Sequence, residues 1–162
     1  EENAKVTRRY REVAQTASQL KQEREELTEK VTLAAKLDAV GIVVTPIDSR
    51  GKTAKKIKKT DKIKITFSIA KNVTAEVGEK YIYARIVKPD GDVLVKDRAD
   101  VFPFEDREIN YSCRKLIEYT GEELNDVTMY WAVEEFLYPG EYRVDIFADN
   151  YKIGTRSFTL KQ

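Results

Sequence analysis

The sequence predicts a mainly β protein: an antiparallel β-sandwich of seven or eight strands at residues 38–162, preceded by one long α-helix at residues 1–37. Apolar residues first recur at alternating steps of four and three, which is the spacing of a coiled coil. Near Asp38 the spacing changes to every second residue, which is typical of strands with one buried face. Turn-forming residues such as Pro89-Asp90-Gly91-Asp92 separate the apolar runs, and short strands with such turns favour a sandwich.

The N-terminal segment has the pattern of a coiled-coil stalk. If it is helical from about Ala4 to Leu37, it is roughly 50 Å long, since a helix rises about 1.5 Å per residue. One interpretation is a parallel coiled coil that oligomerises the protein, and the other is a helix that folds back on the β domain or frays. Arg24 places a charge in the seam, which predicts weak assembly. The predicted oligomer seam consists of Tyr10, Val13, Ala17, Leu20, Arg24, Leu27 and Val31.

The head, residues 38–162, reads as a succession of short strands. The clearest is the run from Lys62 to Ala70, which has Ile and Phe at every second position and polar residues between them. Its apolar face is therefore expected to be buried. The predicted strands are residues 40–47, 62–70, 80–87, 92–96, 108–113, 127–134, 142–148 and 152–160.

Composition argues against several classes of chemistry. The chain contains no histidine, which is the usual base of serine and cysteine hydrolases and the commonest zinc ligand. The single cysteine, Cys113, has no partner for an intrachain disulfide and is expected to be buried. No apolar run approaches the about 20 residues that cross a bilayer. We therefore expect a non-enzymatic protein with no cofactor, no bound metal and no catalytic residue.

Basic residues concentrate in one stretch, which we call the basic segment (residues 50–64). Its charge is about +7, in a chain whose net charge is +1. Such a cluster can bind an anionic glycan, a lipid surface or nucleic acid, the last being least expected because the segment contains no aromatic residue. The other interpretation is a solvated loop before an edge strand whose lysines discourage edge pairing. The candidate contact residues are Arg50, Lys52, Lys55, Lys56, Lys58 and Lys59.

Tyrosines are more numerous than one core requires, so some are expected at the surface. Surface tyrosines are typical of carbohydrate or protein recognition, because each offers a rigid apolar ring with a polar end. Ordinary packing on strand faces is the alternative. The tyrosines concerned are Tyr81, Tyr83, Tyr119, Tyr130, Tyr138 and Tyr151.

The residues Pro139-Gly140-Glu141-Tyr142-Arg143-Val144 resemble the tyrosine corner of immunoglobulin-like (Ig-like) domains. The head is similar to uncharacterised bacterial proteins that join an N-terminal membrane anchor and coiled coil to a C-terminal Ig-like domain. This resemblance implies an Ig-like fold, a structural role for Tyr142, an envelope location and no catalytic residues. Besides the corner, it rests on Lys62-Ile63-Lys64-Ile65-Thr66-Phe67, on Tyr83-Ala84-Arg85-Ile86-Val87-Lys88-Pro89-Asp90-Gly91, and on Ile153-Gly154-Thr155 before Phe158.

The sequence thus predicts a non-enzymatic structural or protein-interaction module, in which a coiled-coil stalk presents an Ig-like head in the bacterial cell envelope. Self-association through the N-terminal helix is expected, and an envelope protein or a glycan is the candidate partner. Contact with a membrane is expected only through an anchor outside this chain. The alternative function is binding of a glycan or another polyanion through the basic segment and the exposed tyrosines.

Overall fold

The computed structural model describes residues 34–162. Lys36–Gln162 form one compact unit. No α-helix lies within it, and its one helical element is a short 3-10 turn at Ile57–Lys59. The strands are β1 Ala39–Ile47, β2 Lys62–Ile69, β3 Gly78–Val87, β4 Val101–Phe104, β5 Arg107–Asn110, β6 Cys113–Tyr119, β7 Leu124–Ala132, β8 Gly140–Ala148 and β9 Tyr151–Leu160.

The strands form three antiparallel sheets, with the orders β1-β2-β7, β6-β3-β8-β9 and β4-β5. The two larger sheets share one hydrophobic core, because alternate residues of their strands point inward. On β2 the burial pattern alternates along the whole strand, with Ile63, Ile65 and Ile69 fully buried. Trp131 of β7 and Val144 of β8 are buried in the same core. The architecture is therefore mainly β and sandwich-like.

The predicted fold class was wrong. A long helix before an Ig-like sandwich of seven or eight strands was expected, whereas residues 34–162 contain nine strands in three sheets. The predicted stalk, apart from residues 34–37, and every residue of the predicted seam, from Tyr10 to Val31, lie outside the described residues. Leu37, expected in the stalk, is fully buried in the sandwich core.

Strand boundaries were missed where alternation is weak. β4 contains Pro103, which cannot donate a ladder hydrogen bond, and it lies in a two-stranded sheet that requires fewer donors. β6 has the charged pair Arg114-Lys115 directly after its first residue, Cys113, so its pattern does not alternate cleanly. Residues 92–96 were predicted as a strand and are not one, since only Val93 forms a bridge there, with Val87.

The two ends of the sandwich are formed by different loops. β1 begins at Ala39, which pairs with Ile69 at the end of β2. At the opposite end, the N–H of Ile57 donates to the carbonyl of Lys161 (3.0 Å), and the N–H of Val133 donates to the carbonyl of Asp61 (2.9 Å). We call this second end, where the β1–β2 loop, the β7–β8 loop and the end of β9 meet, the basic end.

Candidate functional site

The basic segment begins in a tight turn that Asp48 organises. The Asp48 carboxylate accepts hydrogen bonds from the backbone N–H groups of Arg50 (2.9 Å) and Lys52 (3.0 Å). The bonds from Lys52 and Arg50 lower the pKa of Asp48, so the carboxylate stays charged in mildly acid solution. Gly51, between the two donors, has a φ of +82°, a conformation that favours glycine. The turn therefore presents two cations from a fixed backbone.

The rest of the loop is tied to the body of the domain. The N–H of Ala54 donates to the carbonyl of Pro46 (2.8 Å), and Ile57 is held by its bond to Lys161. Ala54 is buried, and Ile57 packs against the main core. Because these two apolar side chains point inward, the lysines beside them are exposed.

The structure brings four of the six predicted contact residues around one open cavity of about 450 Å³. Arg50, Lys52, Lys58 and Lys59 line it together with Asp48, Ser49, Thr60 and Asp61. Lys55 and Lys56 are exposed beside the cavity and do not line it. Within residues 34–162, none of the six basic side chains takes part in an ion pair. The cavity is therefore surrounded by more cations than anions.

The basic surface continues onto the outer face of the three-stranded sheet, where an aromatic residue joins it. Lys62 and Lys64 lie on the solvent side of β2, and Lys64 is paired directly opposite Tyr130 of β7. The Lys62 Nζ atom lies 5.9 Å from the centroid of the Tyr130 ring, which is within the range of a cation–π contact. Tyr130 is 50% exposed. Sequence reasoning missed this neighbour because it lies more than sixty residues away along the chain.

The tyrosines predicted at the surface do not form one surface. Tyr81, Tyr130 and Tyr138 are exposed, but they lie on the outer face of the four-stranded sheet, the outer face of the three-stranded sheet and the β7–β8 loop, respectively. Tyr151 is only half-buried, at the start of β9. Tyr119 is buried, and its hydroxyl donates to the carbonyl of Ala70 (2.9 Å).

The four-stranded sheet carries a second, smaller core on its outer face, under the β4–β5 hairpin. This core contains Phe102, Ile109, Tyr111 and Phe147. Tyr83 packs against it and stacks on Phe102 at a centroid distance of 4.3 Å. Most of the aromatic residues of this face are therefore used for packing.

Tyr142, the predicted structural tyrosine, is fully buried at the start of β8. Its hydroxyl donates to the carbonyl of Tyr138 (2.8 Å) and accepts from the N–H of the same residue (3.0 Å). Burial raises the pKa of Tyr142. The hydroxyl therefore stays protonated and fixes the backbone four residues upstream.

Cys113 is packed against the main core, and burial raises the pKa of its thiol to about 12. A thiol in this state is a poor nucleophile at neutral pH. Among the described residues, no three or more Cys, Asp or Glu side chains are grouped so that they could hold a metal ion. No helix in the same part of the chain is both long and apolar enough to cross a membrane.

Fold and surface together define a mainly β domain of antiparallel, sandwich-like sheets whose most distinctive feature is a basic loop at one end. The chain belongs to the family described as a domain of unknown function, DUF8428, whose profile matches residues 40–161. The sequence matches no curated protein.

Distant structural similarity is found to parts of larger proteins. The alkylpurine DNA glycosylase AlkC of Pseudomonas fluorescens, bound to DNA containing an abasic site analog, is 14% identical with a TM-score of 0.42, over 79% of this chain and 31% of its own. Selenomethionine-labelled β-glucosidase of Kluyveromyces marxianus is 13% identical with a TM-score of 0.46, over 78% of this chain and 14% of its own. The glucose complex of that enzyme is 11% identical with a TM-score of 0.45, over the same shares. This chain thus spans less than a third of the length of either protein.

Proposed function

We propose that this chain is a non-enzymatic interaction module that binds an anionic partner through its basic segment. The observation that carries the proposal is that six exposed cations lie on a backbone held by hydrogen bonds, and none of the six has a carboxylate partner among residues 34–162. Like charges held close together repel one another. A polyanion that neutralises them is therefore bound favourably and releases its counterions.

The position of β2 argues against edge protection as the reason for the charge. Lysines on an edge strand discourage unwanted pairing with another chain. β2, however, lies between β1 and β7 and has a partner on each side. Lys62 and Lys64 therefore guard no edge, and a binding role accounts for them better.

The character of the surface favours recognition by charge rather than by base stacking. Within residues 34–162, Tyr130 is the one aromatic ring that forms a cation–π contact with a lysine of the basic segment. Proteins that bind single-stranded nucleic acid stack successive bases on several rings. Nucleic acid is therefore a less suitable partner for the basic segment than other polyanions.

The proposal is tested with heparin as the probe. We expect the intact chain to bind heparin at low salt, and the double variant Lys55→Glu/Lys56→Glu to bind at least about tenfold more weakly. The slope of log affinity against log salt concentration should be shallower for the double variant, by the amount that corresponds to about two lost ionic contacts. Elution from a heparin column and titration at several salt concentrations measure both effects. The matched control is Lys152→Glu/Arg156→Glu, which changes the net charge by the same amount at exposed positions of β9 outside the basic segment.

Two results would overturn the proposal. The first is absence of heparin binding at low salt. The second is equal weakening by the two double variants, since this would make net charge rather than the basic segment the cause. Unchanged secondary structure by circular dichroism is required of every variant.

A location in the bacterial cell envelope and self-association through residues 1–37 remain predictions beside this proposal. Cell fractionation with an antibody against the domain tests the first. Light scattering on a sizing column, with the whole chain and with a chain starting at Lys36, which keeps the core residue Leu37, tests the second.

A further inference from the structure

The loop between β7 and β8 projects two aromatic side chains into solvent. Phe136 is 74% exposed and Tyr138 is 52% exposed. Their rings contact each other edge to face, with centroids 5.1 Å apart. Leu137, between them, is 2% exposed and belongs to the main core. We call residues 134–138 the aromatic loop.

The aromatic loop is held firmly in this arrangement. The Tyr142 hydroxyl bonds both the N–H and the carbonyl of Tyr138. Glu135 pairs with Lys88 at 3.0 Å, and Leu137 anchors the middle of the loop. Phe136 is therefore exposed on a fixed backbone, and a rigid, projecting aromatic side chain is characteristic of an interaction surface.

The aromatic loop and the basic segment lie at the same end of the sandwich. The N–H of Val133, just before the aromatic loop, donates to the carbonyl of Asp61 (2.9 Å), within the basic segment. The two acidic residues of the aromatic loop are balanced, because Glu134 lies 4.0 Å from Lys96 and Glu135 is paired with Lys88. Four aspartates at this end take part in no ion pair within residues 34–162: Asp48 and Asp61, which line the cavity, and Asp90 and Asp92, on the turn after β3.

We infer that the basic end docks on the surface of an anionic lipid bilayer. This inference rests on the proposed function and names the source of the negative charge. The cations of the basic segment meet the lipid headgroups, while Phe136 and Tyr138 enter the interfacial region. A soluble polyanion would satisfy the cations but would offer no apolar phase for a phenyl ring. A tyrosine, which has an apolar ring and a polar hydroxyl, suits the boundary between lipid and water.

The test is sedimentation with vesicles of phosphatidylcholine, with and without phosphatidylserine. We expect the chain to bind the vesicles that contain phosphatidylserine and not those of phosphatidylcholine alone. The variant Phe136→Ser/Tyr138→Ser should bind the anionic vesicles at least about tenfold more weakly and should bind heparin as the unchanged chain does. The matched control is Val73→Ser/Val77→Ser, which replaces two exposed apolar side chains, 84% and 68% exposed, in the loop between β2 and β3 at the other end of the sandwich.

Each other outcome is decisive. Binding to heparin without binding to anionic vesicles would overturn this inference and leave the proposed function standing. If the unchanged chain bound neither heparin nor anionic vesicles, the proposed function would be overturned as well. If Phe136→Ser/Tyr138→Ser and Val73→Ser/Val77→Ser bound the vesicles equally, attachment would be by charge alone. This result would overturn the proposed role of Phe136 and Tyr138 in docking.

Discussion

Ser112 is one of three buried polar residues in the described part of the chain, and its hydroxyl joins Ile86 of β3 to Leu94 in the segment that follows. The N–H of Ile86 donates to the Ser112 hydroxyl oxygen (2.8 Å), and the hydroxyl in turn donates to the carbonyl of Leu94 (2.5 Å). The side chain is 2% exposed. Ser112 thus satisfies a donor and an acceptor that water does not reach.

Replacing Ser112 by alanine is therefore expected to be costly. The substitution leaves the N–H of Ile86 and the carbonyl of Leu94 with one bond fewer in a buried place, and we expect a loss of about 1–3 kcal/mol in the free energy of unfolding. Urea denaturation measures the change. Ser157→Ala, at an exposed position of β9, is the control and should change stability by less than about 0.5 kcal/mol. A Ser112→Ala protein as stable as the control would refute this role.

The aromatic neighbour of the basic segment shows why single residues of the site escaped prediction. The inward direction of Trp131 could be read from its alternation with Met129 and Val133, which also places Tyr130 on the outer face. Its contact with Lys62, however, depends on which strand pairs with β2 and in which register. Neither the strand that pairs with β2 nor the register of the pairing can be predicted from the sequence of β2 alone.

At the scale of elements, the sandwich is closed on one side by the packing of β1 against β9, at Gly154. A Cβ atom at position 154 would lie 2.6 Å from the Cδ1 atom of Ile42 and 3.0 Å from the Cβ atom of Ala39. Non-bonded carbon atoms do not approach to 2.6 Å, and 3.0 Å is already a tight contact, so these neighbours would have to move. Glycine at this position therefore allows the two terminal strands to approach closely.

We expect Gly154→Ala to lower the free energy of unfolding by about 1–3 kcal/mol, because the added methyl group displaces the Cδ1 atom of Ile42 and presses on Ala39. Ile42→Val removes the Cδ1 atom that the new methyl group would meet. The double variant Gly154→Ala/Ile42→Val should therefore be less destabilised than the two single effects together, and a double-mutant cycle by urea denaturation measures this coupling. Strict additivity would contradict the contact.

Elements with a regular period were predictable, and elements set by tertiary contacts were not. The alternation in β2 and β8 identified strands whose observed bounds differ from the predicted ones by no more than two residues. β4 is hidden by its short length and by Pro103, and it exists because Phe102 packs on the outer face of the large sheet. A second core on the outside of a sheet leaves no periodic signal along the chain.

At the scale of the whole molecule, one buried thiol and three buried tyrosine hydroxyls make the free energy of unfolding depend on pH in alkaline solution. Burial raises the pKa of Cys113 from 9.0 to about 12 and also raises the pKa values of Tyr111, Tyr119 and Tyr142. Above the unfolded pKa values, the unfolded chain releases protons that the folded chain retains. The unfolded state then binds fewer protons, so the free energy of unfolding falls as the pH rises.

We therefore expect urea denaturation at pH about 10 to give a clearly lower free energy of unfolding than at pH about 7, with Cys113 contributing up to roughly 1.4 kcal/mol per pH unit above its unfolded pKa. Cys113→Ser should reduce this dependence, because its hydroxyl does not titrate in this range. Equal stability of the unchanged chain at the two pH values would contradict the burial of these protons.

The direction of the two terminal strands has a mechanical consequence. β1 begins at one end of the sandwich, and β9 ends at the other, which is the basic end. A force that separates Lys36 from Gln162 therefore pulls along both strands, while the hydrogen bonds that join β1 to β2 and β9 to β8 run across the direction of pull. These bonds are loaded together in shear instead of opening one after another, so the ladders of both strands resist tension between the two ends of the domain at the same time.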